Sequence, residues 1–196
     1  MANLAKFGIK EVADVRFYNV NDVEFPDGVL TIKEDAAPVL NLDSLKVSTI
    51  EMTAEQSEAR GGKGNPPLII WDYGREVNVT LEDALMSMDC FKVMFGATDD
   101  NYITVSANTF PGNYAVIGRT FARNQEDGED HLFTFYIPNA KVQSENTITM
   151  EAEGDPTVFN MSLRVLRAAG GHEMMYLIPE VENKYTGTNI WADLDA

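Results

Sequence analysis

The sequence predicts a mainly β protein, a β-sandwich or partial barrel with one α-helix packed against it. Three observations carry that expectation. Apolar residues alternate with period two along most of the chain, a single stretch at 81–95 carries a helical stripe, and turn-rich EDGED, QSEN and EGDP segments punctuate the second half. With 196 residues, 44% of them hydrophobic and 10% aromatic, the chain is too apolar for wholesale disorder. A compact chain of this size buries roughly 70% of its unfolded surface, which suits one domain. The expected division is a β-rich unit over 1–179 and a C-terminal arm over 180–196.

In chain order, residues 9–20 (IKEVADVRFYNV) mix strand formers with charges, and 23–32 read as a hairpin turning at Asp27-Gly28. Strand signals continue over 38–53. In LKVSTIEMT, Leu45 and Val47 share one face while Ile50 and Met52 share the other, so a bulge or a two-sided strand is expected near Ser48. Residues 53–67 then form a charged loop in which Gly61, Gly62 and Gly64 leave the backbone with little intrinsic order, until Pro66-Pro67 stiffens it. A loop of that length usually has a function. Beyond it Ile69, Trp71, Tyr73, Val77, Val79 and Leu81 alternate with Ile70, Asp72, Gly74, Glu76, Asn78 and Thr80, the clearest strand in the chain.

Thr80 and Asp83 resemble a capping box, and Leu81, Leu85, Met88 and Val93 with Ala84, Phe91 and Phe95 make a helical stripe ending at Gly96, which predicts a helix over 81–95. Period two then returns at 114–121, 132–142, 147–153 and 157–166, as sequential antiparallel hairpins. In the last of these Phe159, Met161, Leu163 and Val165 oppose Asn160, Ser162 and Arg164, so one face is buried and the other polar. Residues 180–196 have weak periodicity, as expected of an arm that docks elsewhere.

The formal net charge is −16, from 31 acidic and 15 basic residues, which argues against a protein that grips phosphate backbones. Such a surface can lie near DNA without adhering to it. No apolar run reaches the ~18 residues of a spanning helix and the N-terminus lacks a secretory h-region, so cytosolic synthesis and no membrane partner are expected. Cys90, the single cysteine, sits beside Phe91 and Met94 and reads as a small core residue.

Chemistry-bearing motifs fail one by one. ARGGKGN lacks the phosphate-loop spacing, because Ser57 stands where the first glycine belongs and Gly64 where Ser or Thr should follow the lysine. His131 and His172 have no second His or Cys at zinc-ligand spacing. Asp127, Glu129 and Asp130 beside His131 could hold calcium weakly, but they lack the alternation of an EF-hand loop and fit a solvated turn. Glu82 and Asp83 suit the first turn of a helix without any catalytic role. No Gly-x-Ser-x-Gly marks a nucleophile. Neither an enzyme nor a cofactor or metal site is expected.

The run from Leu45 through Ala84, with its strand leading into TAE, then ARGGKGNP, then a strand with DYGRE running into LEDAL, resembles the major tail tube proteins of tailed bacteriophages of Gram-positive hosts. The resemblance covers about a fifth of the chain by motif. It implies a subunit of hexameric rings that stack into a hollow tube, whose strands join into an inner barrel and whose acidic lumen conducts DNA during genome ejection. It also implies assembly in the host cytoplasm, a place in the virion tail, and tape-measure and tail-tip or terminator proteins as partners. Residues 53–67 would be the stacking loop, with Glu55, Glu58, Arg60, Gly61, Gly62, Lys63, Gly64 and Asn65 as contact residues between rings. Fixing some dozen loop residues at roughly 1–2 kcal/mol each would cost on the order of 15 kcal/mol, so slow spontaneous growth is expected. Alternatives are another β-rich virion part, such as a tail-completion or capsid-decoration protein, the tube of a related injection machine, or more remotely a ligand- or metal-binding β-sandwich. The 22–38 hairpin and the C-terminal arm match nothing in the family pattern, and the sequence does not say which acids face the lumen.

Overall fold

The computed structural model describes residues 6–97, 101–126, 128–143, 159–179 and 185–186. The chain runs β1 (Phe7–Asn19), β2 (Val23–Glu24), β3 (Leu30–Ile32), β4 (Leu40–Leu42), β5 (Leu45–Arg60), β6 (Pro67–Asp83), α1 (Met88–Phe95), β7 (Asn113–Asn124), β8 (Asp130–Val142), β9 (Phe159–Val165), β10 (Tyr176–Pro179) and β11 (Tyr185–Thr186). The strand expected at 147–153 lies outside the described residues.

One large antiparallel sheet has the order β4-β1-β7-β8-β9-β6-β5, with β10 added to β8. Its two ends are consecutive in sequence, and β5 also contacts β1, so the sheet curls into a partial barrel. Alternation puts Val15, Phe17, Leu40, Leu42, Val77, Val79, Leu81, Ile137, Met161 and Leu163 inside. Cys90, Val93 and Met94 of α1 plug that interior. Among the described residues, the mainly β architecture with one packed helix is as the sequence led us to expect.

The other face of β1, β7 and β8 is buried too. Tyr18, Ala115, Ile117, Tyr136 and Ile178 pack there against Val23, Leu30 and Ile32 of the β2–β3 hairpin. The 23–32 hairpin, whose role the sequence left open, therefore caps the outside of the barrel. β11 pairs parallel with β3, Tyr185 opposite Leu30 and Thr186 opposite Thr31, so these two residues join the same small sheet.

The helix begins later than its stripe suggests. Leu81 is fully buried opposite Met161, and Asp83 accepts a hydrogen bond from the Ser44 hydroxyl at the β4–β5 corner, so both belong to β6. Pinned there, they cannot start a helix, and Thr80–Asp83 is not its capping box. Ser87 is the cap instead: the Cys90 backbone N–H donates to its Oγ at 3.2 Å. Gly96, at φ +69°, ends the helix with its N–H on the Lys92 carbonyl. Leu85, counted in the stripe, is 68% exposed.

The switch of face near Ser48 is a real irregularity. The β5–β6 ladder shifts register between Leu45 and Val47, so Leu45 and Ile50 both pack on the barrel core although five positions apart.

Candidate assembly interface

The segment expected to be a flexible loop is a β-hairpin arm. β5 runs on through Thr53 to Arg60 and β6 starts at Pro67, with Glu55 opposite Tyr73, Ser57 opposite Trp71 and Ala59 opposite Ile69. Only 61–66 connects the strands. Within it Asn65 N–H donates to the Gly62 carbonyl at 3.1 Å, closing a turn whose third residue, Gly64, has φ +88°, a value open to glycine at little cost. Gly61 N–H donates to the Pro66 carbonyl at 3.3 Å. Most of the arm's backbone is already paired, so the large ordering cost expected of a free loop does not apply, and slow growth loses that ground.

The designated contact residues fall into three places. Glu58 and Arg60 are on one face of β5, where Arg60 Nε donates to Glu58 Oε2 at 2.7 Å. Gln56 joins that face, donating from Nε2 to Asp72 Oδ1 at 2.9 Å. Glu55 lies on the other face, opposite Tyr73. Gly61, Gly62, Lys63, Gly64 and Asn65 form the tip, with Lys63 exposed.

The sequence reading missed the apolar face of the arm. Ile69, Trp71 and Tyr73 are 53%, 51% and 53% exposed. On parity alone they continue Val77, Val79 and Leu81, which are in the core. Between the two sets the ladder steps from Thr53–Glu76 to Glu55–Tyr73, leaving Gly74 and Arg75 opposite Ala54 alone, with Gly74 at φ +63°. This bulge counts two residues as one and moves the triad to the opposite face of the sheet. The signal that could have found it is Gly74, an isolated glycine inside a strand pattern.

The face carrying the triad is continuous with the solvent face of β9, β6 and the inner part of β5. There Asn160, Ser162 and Arg164 lie beside Glu82, Thr80 and Asn78, and these beside Val47, Thr49 and Glu51. Arg164 is ion-paired with Glu76. Where the arm meets the body, Arg75, Arg164 and Arg167 line a cavity of about 260 Å³ with Glu76 and Met174.

A larger cavity, about 550 Å³, opens beside the β2–β3 hairpin between Asn21, Glu24, Lys33 and the aromatic pair Tyr136 and Tyr176. Tyr136 donates to the Val23 carbonyl at 3.1 Å, and burial pushes its phenol up to about 12. At the β7–β8 turn, Asp130 binds Arg123 through both oxygens, at 2.7 and 2.8 Å, which commits one of the acids weighed as a calcium ligand. Among the described residues no cluster of three or more His, Cys, Asp or Glu side chains could hold a metal. Burial also raises the Cys90 thiol, which accepts from Ser87 Oγ and is enclosed by the core. Among the described residues no helix is long and apolar enough to cross a membrane.

No curated protein matches the chain. The YomU/Tube protein family model matches it over residues 7–98 and again over 96–177. The stretches meet at the end of α1, and the β1–β7 and β6–β9 pairings join them in one sheet. With the match running over most of its length, the chain belongs to the YomU/Tube protein family.

Proposed function

We propose that the protein is the major tail tube subunit of a tailed phage, assembling through its β-hairpin arm into stacked hexameric rings whose lumen passes DNA without specific binding. The family's name points to a phage tube or other structural component, and the arm supports the finer reading. A lone two-stranded hairpin is marginal in water, and this one holds Ile69, Trp71 and Tyr73 half exposed on one face. Against a neighbouring copy that face would leave water, each large side chain contributing about 0.8–1.5 kcal/mol for the half it still exposes.

The solvent face of β9, β6 and inner β5 is the surface best suited to the lumen. Thr49, Asn78, Thr80, Asn160 and Ser162 are neutral, Glu51 and Glu82 are acidic, and Arg164 is held by Glu76. Such a wall repels phosphates within the ~8 Å screening length of physiological salt and presents them little to bind. The partners in this reading are further copies of the chain, with tape-measure and tail-tip or terminator proteins at the tube's ends. Assembly takes place in the host cytoplasm and the product resides in the virion tail.

Negative-stain microscopy of concentrated protein, alone and with tail initiator components, tests this. Rings or tubes are expected; their absence under both conditions would count against the reading. Excising Glu55–Tyr73 and joining Ala54 to Gly74 through Asn-Gly should leave a folded, soluble subunit that no longer assembles. Assembly undiminished by the excision would remove the arm from the mechanism.

A further inference from the structure

Two segments stand apart from the acidic remainder of the chain. The arm, residues 53–75, holds three acids (Glu55, Glu58, Asp72) and three bases (Arg60, Lys63, Arg75). Residues 101–118 hold no charged side chain at all. The whole net charge of −16 therefore resides elsewhere, and the exposed parts of these two segments can meet between copies with little repulsion.

Residues 101–110, between α1 and β7, form no helix or strand, yet NYITVS has strong strand propensity and alternates Tyr102, Thr104 and Ser106 with Ile103 and Val105. It is exposed apolar surface, with Tyr102 59%, Val105 71% and Phe110 63% accessible. Strand β5, which runs from the sheet body into the arm, offers an edge to which such a segment can add. β5 ends the large sheet, and among the described residues its ladder partner is β6 alone. A sixteen-residue edge strand of this kind presents a row of backbone donors and acceptors to another chain.

We propose that residues 101–106 of one copy add as a strand to the free edge of β5, around Thr49–Thr53, in a second copy. The faces match. Ile103 and Val105 would cover Ile50 and Met52, of which Met52 is 54% exposed, while Thr104 and Ser106 would extend the polar face of Thr49 and Glu51. Donor and acceptor are different surfaces of one chain, so the contact is head-to-tail and generates a ring or an open filament. The partner is a second copy of this chain; the inference deepens the assembly reading above and rests on it.

Intermolecular disulfide trapping tests the pairing in a Cys90→Ala background. Protein carrying T104C is mixed with protein carrying T49C, E51C or T53C, because opposed strand residues lie within disulfide reach. E126C, on the β7–β8 turn, is the control. At least one β5 position should yield tenfold more cross-linked dimer than E126C, and Val105→Asp should abolish assembly while leaving the thermal transition in place. Tubes that form with T104C cross-linking no better than the control would overturn the strand addition and leave the tube reading standing. Cross-links without rings or tubes would leave the contact and remove the tube. Neither cross-links nor assemblies would remove both.

Discussion

Gly118 stands directly opposite Phe135 in the β7–β8 ladder, and a Cβ at Gly118 would come within 2.0 Å of the tip of that ring. The ring is 4% exposed and wedged in the barrel core, so it has nowhere to retreat. Gly118→Ala should therefore lose about 2–3 kcal/mol of stability by overpacking, read by urea denaturation. A change below ~0.5 kcal/mol would mean that the ring moves aside freely.

The ends of α1 give a second pair of expectations. Ser87→Ala removes the hydroxyl that accepts from Cys90 N–H and should cost about 1 kcal/mol. Gly96→Ala should cost more, about 2 kcal/mol or above, because φ +69° disfavours a Cβ and that Cβ would lie 2.3 Å from the Phe110 carbonyl oxygen. Equal losses in the two variants would show that the close approach of Phe110 does not constrain the helix end.

Gly74 is the pivot of the arm. Gly74→Val places a β-branched residue at φ +63°, at a cost of order 1–3 kcal/mol paid locally, outside the core. The global melting temperature should stay within a few degrees of the parent while assembly is lost. If assembly persisted, the orientation of Ile69, Trp71 and Tyr73 would not matter to it.

Trp71 reports on the arm directly. The chain has two tryptophans, so a Trp191→Phe background isolates it. At 51% exposure it should emit as a wet indole in the free subunit and shift to the blue as copies associate. Emission independent of protein concentration through assembly would leave the apolar face uncovered.

Tyr136 predicts alkaline sensitivity. Its phenol is pushed up to about 12 from an ordinary 10, first by burial and then by the nearby Tyr176 and Glu24. The folded state thus holds a proton that the unfolded chain releases, so this contribution is intact below pH 10 and is lost as pH rises from about 10 to 12. Tyr136→Phe should be weakened at neutral pH by the missing bond to Val23 and should lose stability less steeply across that window. Parallel slopes would assign the alkaline loss to other groups.

The strands at 9–20, 114–121, 132–142 and 157–166 were legible because each has one or both faces in a core, and burial imposes a period that composition records. The 23–32 hairpin was legible through a different local signal, the turn residues Asp27-Gly28. The helix start was not, since Leu81 fits both a helical stripe and an alternating strand, and its pairing with Met161, eighty positions away, decides between them.

What the sequence by itself determined is the inventory: a mainly β chain, one helix, an acidic surface, and a glycine-rich segment joined to its most regular strand. Tertiary structure alone decided that this segment is mostly a paired arm, and that Ile69, Trp71 and Tyr73 face solvent while Val77, Val79 and Leu81 face the core. The physical reason is that side-chain parity is a local rule only while the ladder is unbroken. At Gly74 and Arg75 two residues meet one, and the face each side chain takes depends on which partner strand lies across from it.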